Sequence, residues 1–169
     1  MDCQRIRQFL EEEANLLLRD NVKMHFTASA WVLNPSKNKV LMLYHNIYQS
    51  WSWSGGHADG EGDLLSVAMK EVKEESGLVS LKPLSDSPIS IEILGVQPHY
   101  KKQKYVSAHL HLNYTFLLHN TKEEKLKICP GENSKVGWLS PDEAVRSSTE
   151  AWMKPIYEKL NQKMKEYLG

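Results

Sequence analysis

The sequence predicts an α/β fold in a single domain of 169 residues, and three observations carry that reading. Apolar residues recur at helical spacing near both ends, strand-like runs rich in β-branched and aromatic residues fill the interval, and one central segment reads as a helix capped at both ends. A hydrophobic fraction of 41% over this length supplies one core and asks for no second domain.

Residues 4–19 place Ile6, Phe9, Leu10, Leu16 and Leu17 at mostly helical intervals with Glu11, Glu12 and Glu13 on the outer side, which predicts an amphipathic helix within residues 1–20. Residues 25–33 and 40–45 read as strands, and Asn34, Pro35, Ser36, Lys37 and Asn38 between them are turn chemistry, so the pair predicts a hairpin. Ser50, Trp51, Ser52 and Trp53 form a further strand-like run. Residues 64–76 predict a helix through Leu64, Leu65, Ala68 and Val72, with Asp63 as its N-cap and Gly77 ending it in a left-handed conformation. Residues 82–88, with two prolines, break regular structure before a strand at 89–96. Residues 106–118 alternate: Val106, Ala108, Leu110, Leu112, Tyr114 and Phe116 face one way, and Ser107, His109, His111, Asn113 and Thr115 the other. A short strand at 136–139 leads into Ser140 and Pro141, which read as a helix start, and 149–168 predicts a C-terminal helix kinked or restarted at Pro155.

Charge and cysteine usage narrow the function. Lys plus Arg and Asp plus Glu both number 21, so nothing in the overall charge favours a nucleic-acid polymer or a membrane surface, whereas small charged ligands stay open. Cys3 and Cys129 fit neither a disulfide framework nor a zinc spacing. The first residues lack the apolar core of a signal peptide and no apolar run reaches membrane-spanning length, so the expected location is cytoplasmic.

The central helix carries the chemistry. It ends with Glu71, Glu74 and Glu75, where the partial negative charge of a helix C-terminus costs each carboxylate about 0.3–1 kcal/mol and the Glu71/Glu75 pair adds about 0.2–0.5 kcal/mol. Spacings of three and four let Glu71 share a face with both partners, and one divalent cation with hard-oxygen preference would gather them. Alone, the three glutamates suit a solvated acidic face, softened by Lys70 and Lys73, better than a metal site. Gly55 and Gly56 shift that balance, because they let backbone approach a ligand with no Cβ in the way.

Residues 56–78 resemble the Nudix box, Gly-x5-Glu-x7-Arg-Glu-U-x-Glu-Glu-x-Gly-U with U a bulky aliphatic, and Gly56, Glu71, Val72, Glu74, Glu75, Gly77 and Leu78 match in register. The resemblance to that MutT-like family implies an α/β/α sandwich around a mixed sheet, with N- and C-terminal helices added. It implies a Mg²⁺- or Mn²⁺-dependent hydrolase in which water attacks the pyrophosphate of a nucleoside diphosphate linked to another moiety. Glu71, Glu74 and Glu75 would be metal ligands, with Glu71 and Glu74 catalytic and Lys70 holding them. Gly55, Gly56 and His57 would face the substrate, and a homodimer is compatible with the family. Two positions depart: Gly62 takes the place of the first glutamate, leaving Asp59, Glu61 or water to serve, and Lys70 replaces an arginine whose planar fork an ammonium does not reproduce. A nucleotide-binding sensor without turnover is the competing expectation. An isomerase is a weaker one, since neither cysteine has a convincing context.

His109 and His111, at i and i+2 of one strand, project from the same side and are expected to form a hydrogen-bonded or substrate-facing surface rather than a second metal site, which would need a further ligand for which His99 is the nearest candidate. His25 and His45 carry no pattern of their own. Trp51 is open to stacking on a base, and Trp53 reads as core. Lys101, Lys102 and Lys104 form a basic loop able to attract phosphate, and Glu132, in the loop before the last strand, is a candidate to close over the site. Substrate identity has no marker in the sequence.

Overall fold

The computed structural model describes residues 2–101 and 103–169; Lys102 of the basic loop lies outside them. The chain opens with helix α1 (Asp2–Glu12), whose Ile6 is buried. The sequence reading carried this helix to residue 19, but it stops after three glutamates begin to crowd its negative end, and Asn15 in a left-handed conformation (φ 59°) turns the chain back.

Strand β1 (Met24–Leu33) is buried along its whole length and occupies the centre of the sheet. It meets β2 (Val40–His45) in antiparallel fashion at Leu33 and Val40 only, so the hairpin splays beyond its turn. Strands β3 (Ser50–Ser52) and β4 (Ser54–His57) follow; the first pairs with β2 and the second with β1, the switch falling at Trp53. Helix α2 (Leu64–Ser76) has the predicted bounds. Asp63 accepts the N–H groups of Leu65 and Ser66, and Gly77 at φ 75° closes the other end on the Lys73 carbonyl.

Three strands then pass along the far side: β5 (Leu81–Pro83), β6 (Ser90–Val96) and β9 (His109–Asn120). A separate hairpin, β7 (His99–Lys101) and β8 (Lys104–Val106), turns at Gln103 with φ 64°. It takes Val106 out of the long strand that alternation had begun there, and β9 instead runs on to Asn120. The last strand, β10 (Asn133–Leu139), leads into α3 (Pro141–Ser147) and α4 (Lys154–Leu168). A capping box between Ser140 and Glu143 starts α3, and Pro155 sits in the first turn of α4, where its missing N–H has no partner to lose.

The sheet runs β10-β2-β1-β9-β5, with β1 and β9 parallel over ten residue pairs from Met24↔Leu110 to Leu33↔His119. Alternate residues of β1 supply two cores. Ala28, Ala30 and Val32 pack under Val67, Ala68 and Val72 of α2, while Trp31 and Leu33 pack under Tyr157, Leu160 and Met164 of α4. A third cluster joins Ile6 and Leu16 to Phe26, Ala58 and Leu112. The result is the expected α/β/α sandwich around a mixed sheet. No helix among the described residues is long and apolar enough to cross a membrane.

Both faces of β9 are therefore covered. Its polar side, which alternation alone would leave in water, is buried at Asn113 and Thr115. Asn113 accepts from Thr27 and Ser29 (2.9 and 2.8 Å), Thr115 donates to Glu92 (3.3 Å), and Lys159 of α4 reaches Glu92 at 2.7 Å. A buried carboxylate needs such partners, since an unpaired charge there would cost several kcal/mol, roughly.

Candidate active site

The motif residues meet where α2 ends beside β4. Antiparallel pairing sets Gly55 opposite Ser29 and Gly56 opposite Ala28, so the glycine pair is a strand held against the middle of the sheet. The absence of a side chain at Gly56 is what admits Glu71: a Cβ built there would lie 2.3 Å from the Glu71 carboxyl carbon and 2.5 and 2.6 Å from its oxygens. Gly55 serves a different contact, its missing Cβ leaving room for Ser29 and the Ala28 carbonyl oxygen.

Glu75 is 5% exposed and turned inward. The Ser54 hydroxyl donates to it at 2.5 Å and the Gly55 amide at 3.2 Å, while Asn133 fixes its backbone carbonyl. The Gly55 amide thus serves a carboxylate of the protein, where the sequence reading had offered it to substrate. Burial pushes the Glu75 carboxyl up to about 8, with Glu71 and Glu132 adding repulsion and Ser54 opposing it. Burial also raises Glu71, and the charge of Glu74 raises it further.

Glu74 is the exposed member of the three, 56% accessible, with Lys70 Nζ at 3.8 Å. That distance is beyond a hydrogen bond, so Lys70 offers Glu74 and Glu71 charge without a fixed orientation. The two carboxylates proposed to replace the glutamate missing at Gly62 both hold hydrogen bonds. Arg19 grips both oxygens of Asp59 at 2.7 and 2.5 Å, and Glu61 accepts the Asp63 amide at 2.8 Å. Glu132 adds negative charge that raises both Glu71 and Glu75, and Asp59 raises Glu71 as well.

The three glutamates fit a divalent cation by donor chemistry. They supply hard oxygens, they repel one another, and Mg²⁺ needs only one or two carboxylates beside water and phosphate. They are not drawn into a closed cage. Among the described residues, the group of three whose ligand atoms all lie within 4.8 Å of one another is His25, His109 and His111.

That group was only half visible in the sequence. His109 and His111 were singled out, with His99 as their companion; the parallel register of β1 and β9 instead pairs His25 with His111. Alternation of His25, Thr27 and Ser29 with Phe26, Ala28 and Ala30, the same polar and apolar rhythm as β9, is the signal that could have found it. The His57 ring lies 5.1 Å from that of His25 and 5.0 Å from that of His111. Trp51 and Trp53 both pack, partly buried, against the α4 core.

The NUDIX domain family model matches residues 23–160. A Caenorhabditis elegans Ap4A hydrolase in a binary complex is 18% identical over 83% of this chain and 98% of its own, with a TM-score of 0.62. A NUDIX family hydrolase from Clostridium perfringens is also 18% identical, covering 83% and 96%, with a TM-score of 0.62. The Escherichia coli dihydroneopterin triphosphate pyrophosphohydrolase is 17% identical over 79% and 92%, with a TM-score of 0.56. No curated protein matches the sequence. At these identities the solved structures speak for the fold, and the family match, together with a glycine-lodged glutamate at the end of its box helix, shows that the chain belongs to the Nudix family of pyrophosphohydrolases.

Proposed function

We propose that the protein is a divalent-metal-dependent hydrolase that cleaves the pyrophosphate bond of a nucleoside diphosphate linked to another moiety, water attacking one phosphorus in line. The observation that supports this most is Glu71 seated in the space left by Gly56, which joins the helix carboxylates to the glycine strand. Glu71, Glu74 and Glu75 are the residues that would hold Mg²⁺ or Mn²⁺. When bound, the ion supplies neutralisation of phosphate charge and a water of lowered pKa.

The chain's own groups do the rest. Ser54 and Gly55 fix Glu75, so one carboxylate keeps a set position while exposed Glu74 adapts to the ligand. Glu71 would serve as a further ligand or take the proton of the attacking water. Lys70 limits repulsion between Glu71 and Glu74. His57, one residue beyond the glycine pair, packs its ring beside those of His25 and His111 and would meet substrate from there. The substrate is a small nucleotide derivative, and the protein acts in the cytoplasm.

Phosphate release from nucleoside triphosphates, ADP-ribose, nucleotide sugars and dinucleoside polyphosphates, with Mg²⁺ or Mn²⁺ and a coupled phosphatase, tests this reading. Turnover that needs the ion and disappears in Glu74→Gln is expected. A second reading draws on Gly62 and on the 3.8 Å gap at Lys70: a weakened domain acting as a nucleotide sensor. Nucleotide binding without turnover on any member of the panel would select it.

A further inference from the structure

Four histidine rings from three strands meet at one end of the sheet: His25 of β1, His57 of β4, and His109 and His111 of β9. Packing four imidazoles together has no value as core, since each ring brings a polar nitrogen that must be satisfied. Their hydrogen bonds show where those nitrogens point. His25 Nδ1 is 3.1 Å from the Asn21 carbonyl, and His109 Nδ1 is 2.8 Å from the Ser107 carbonyl. A carbonyl only accepts, so both protons sit on Nδ1 and both Nε2 lone pairs face the cluster.

Two consequences follow. His25, only 4% exposed, leaves its Nε2 buried with no hydrogen-bond partner among the described residues. His109 Nε2 meets His111 Nε2 at 3.1 Å. A tetrahedral ion with Zn–N bonds of about 2.0–2.1 Å sets its nitrogens about 3.3 Å apart, close to that separation. The backbone carbonyls behind Nδ1 are the outer partners that orient histidine ligands and fix their tautomer.

We propose that His25, His109 and His111 form a binding site for one divalent transition-metal ion of the zinc class, separate from the carboxylate centre. Imidazole nitrogen selects Zn²⁺, Co²⁺, Ni²⁺ or Cu²⁺ over Mg²⁺, so the two centres do not compete for the same ion. Three protein ligands leave the fourth position to water or a ligand oxygen. His57 stands between this site and Gly56, and its ring flanks the three without being one of them.

Co²⁺ titration of the metal-free full-length protein, in excess Mg²⁺, tests the site through the visible band that low-coordinate Co²⁺ gives far more strongly than octahedral Co²⁺. One equivalent should saturate the band and one equivalent of Zn²⁺ should remove it. Glu74→Gln should leave it unchanged, and His109→Ala or His111→Ala should weaken binding at least tenfold. Long-range ¹H–¹⁵N spectra of the unmutated protein should show the Nε2 signals of these three histidines shifting together with Zn²⁺, which requires no variant to fold. No saturable band in the wild type, equal binding in His109→Ala, or unshifted ring nitrogens would overturn the proposal. Loss of the band in Glu74→Gln would place the ion at the carboxylates and overturn it equally.

Discussion

Substituting Gly56 by alanine should separate the site from the fold. Gly56 is not among the glycines with positive φ, so its backbone accepts an alanine. The new Cβ would come within 2.3 Å of the Glu71 carboxyl carbon, whereas ordinary contact begins near 3.4 Å. The atoms that must yield are the far end of a flexible side chain, so the carboxylate retreats by about 1 Å while the helix and sheet stay in place. A displacement of that size in a positioning group costs about 10²-fold in rate. Stability should change by no more than about 1 kcal/mol, or about 2–4 °C in Tm for a domain of this size. Steady-state hydrolysis with Mg²⁺ alongside a thermal melt reads both quantities. Gly62→Ala, with nothing within 4 Å, is the unaffected control. Gly55→Ala should instead lose stability, because its Cβ meets the backbone oxygen of Ala28 at 2.8 Å. Wild-type turnover by a well-folded Gly56→Ala would refute the reasoning, as would unfolding of that variant with Gly55→Ala left intact.

Other outcomes follow from the same geometry. Glu75 has a folded-state pKa near 8 against an ordinary 4.5, so the folded protein holds that proton more tightly than the unfolded chain does. Its contribution to stability is full below about pH 4.5 and is lost as pH rises through about 8, a change on the order of several kcal/mol. Chemical denaturation of metal-free protein across that range should show the decline, and Glu75→Gln should flatten it while abolishing turnover. Asp63→Ala removes two N-cap hydrogen bonds and should cost about 1 kcal/mol in the same assay, with a smaller effect on rate. Lys70→Arg supplies a planar fork where the ammonium stands 3.8 Å from Glu74, and kcat/KM should rise severalfold.

Local signals in the sequence were strong where local physics decides the structure. The box helix was legible to the residue because its ends are set by Asp63 and Gly77, and α3 because Ser140, Pro141 and Glu143 are a start signal in themselves. The end of α1 was not, since helical periodicity continues past the point where crowded glutamates and Asn15 stop it. The long strand illustrates a deeper limit. Alternation along β9 identifies two faces, but only the packing of α4 decides that the face of Asn113 and Thr115 is dry. His25 escaped for the same reason: its meeting with His111 is set by a parallel pairing of segments more than eighty residues apart, which no local spacing encodes. The motif points to the carboxylates, whereas the ties of Asp59 to Arg19 and of Glu75 to Ser54 depend on side chains brought in from elsewhere.

Hydrolysis in ¹⁸O-labelled water tests the central claim most directly, because it follows the oxygen that attacks. With Mg²⁺ and the best substrate of the panel, one product phosphate should carry one ¹⁸O after a single turnover, and neither Glu74→Gln nor chelated wild type should form it. A protein that binds the nucleotide and yields no labelled phosphate with any substrate would contradict the account and leave the sensor in its place.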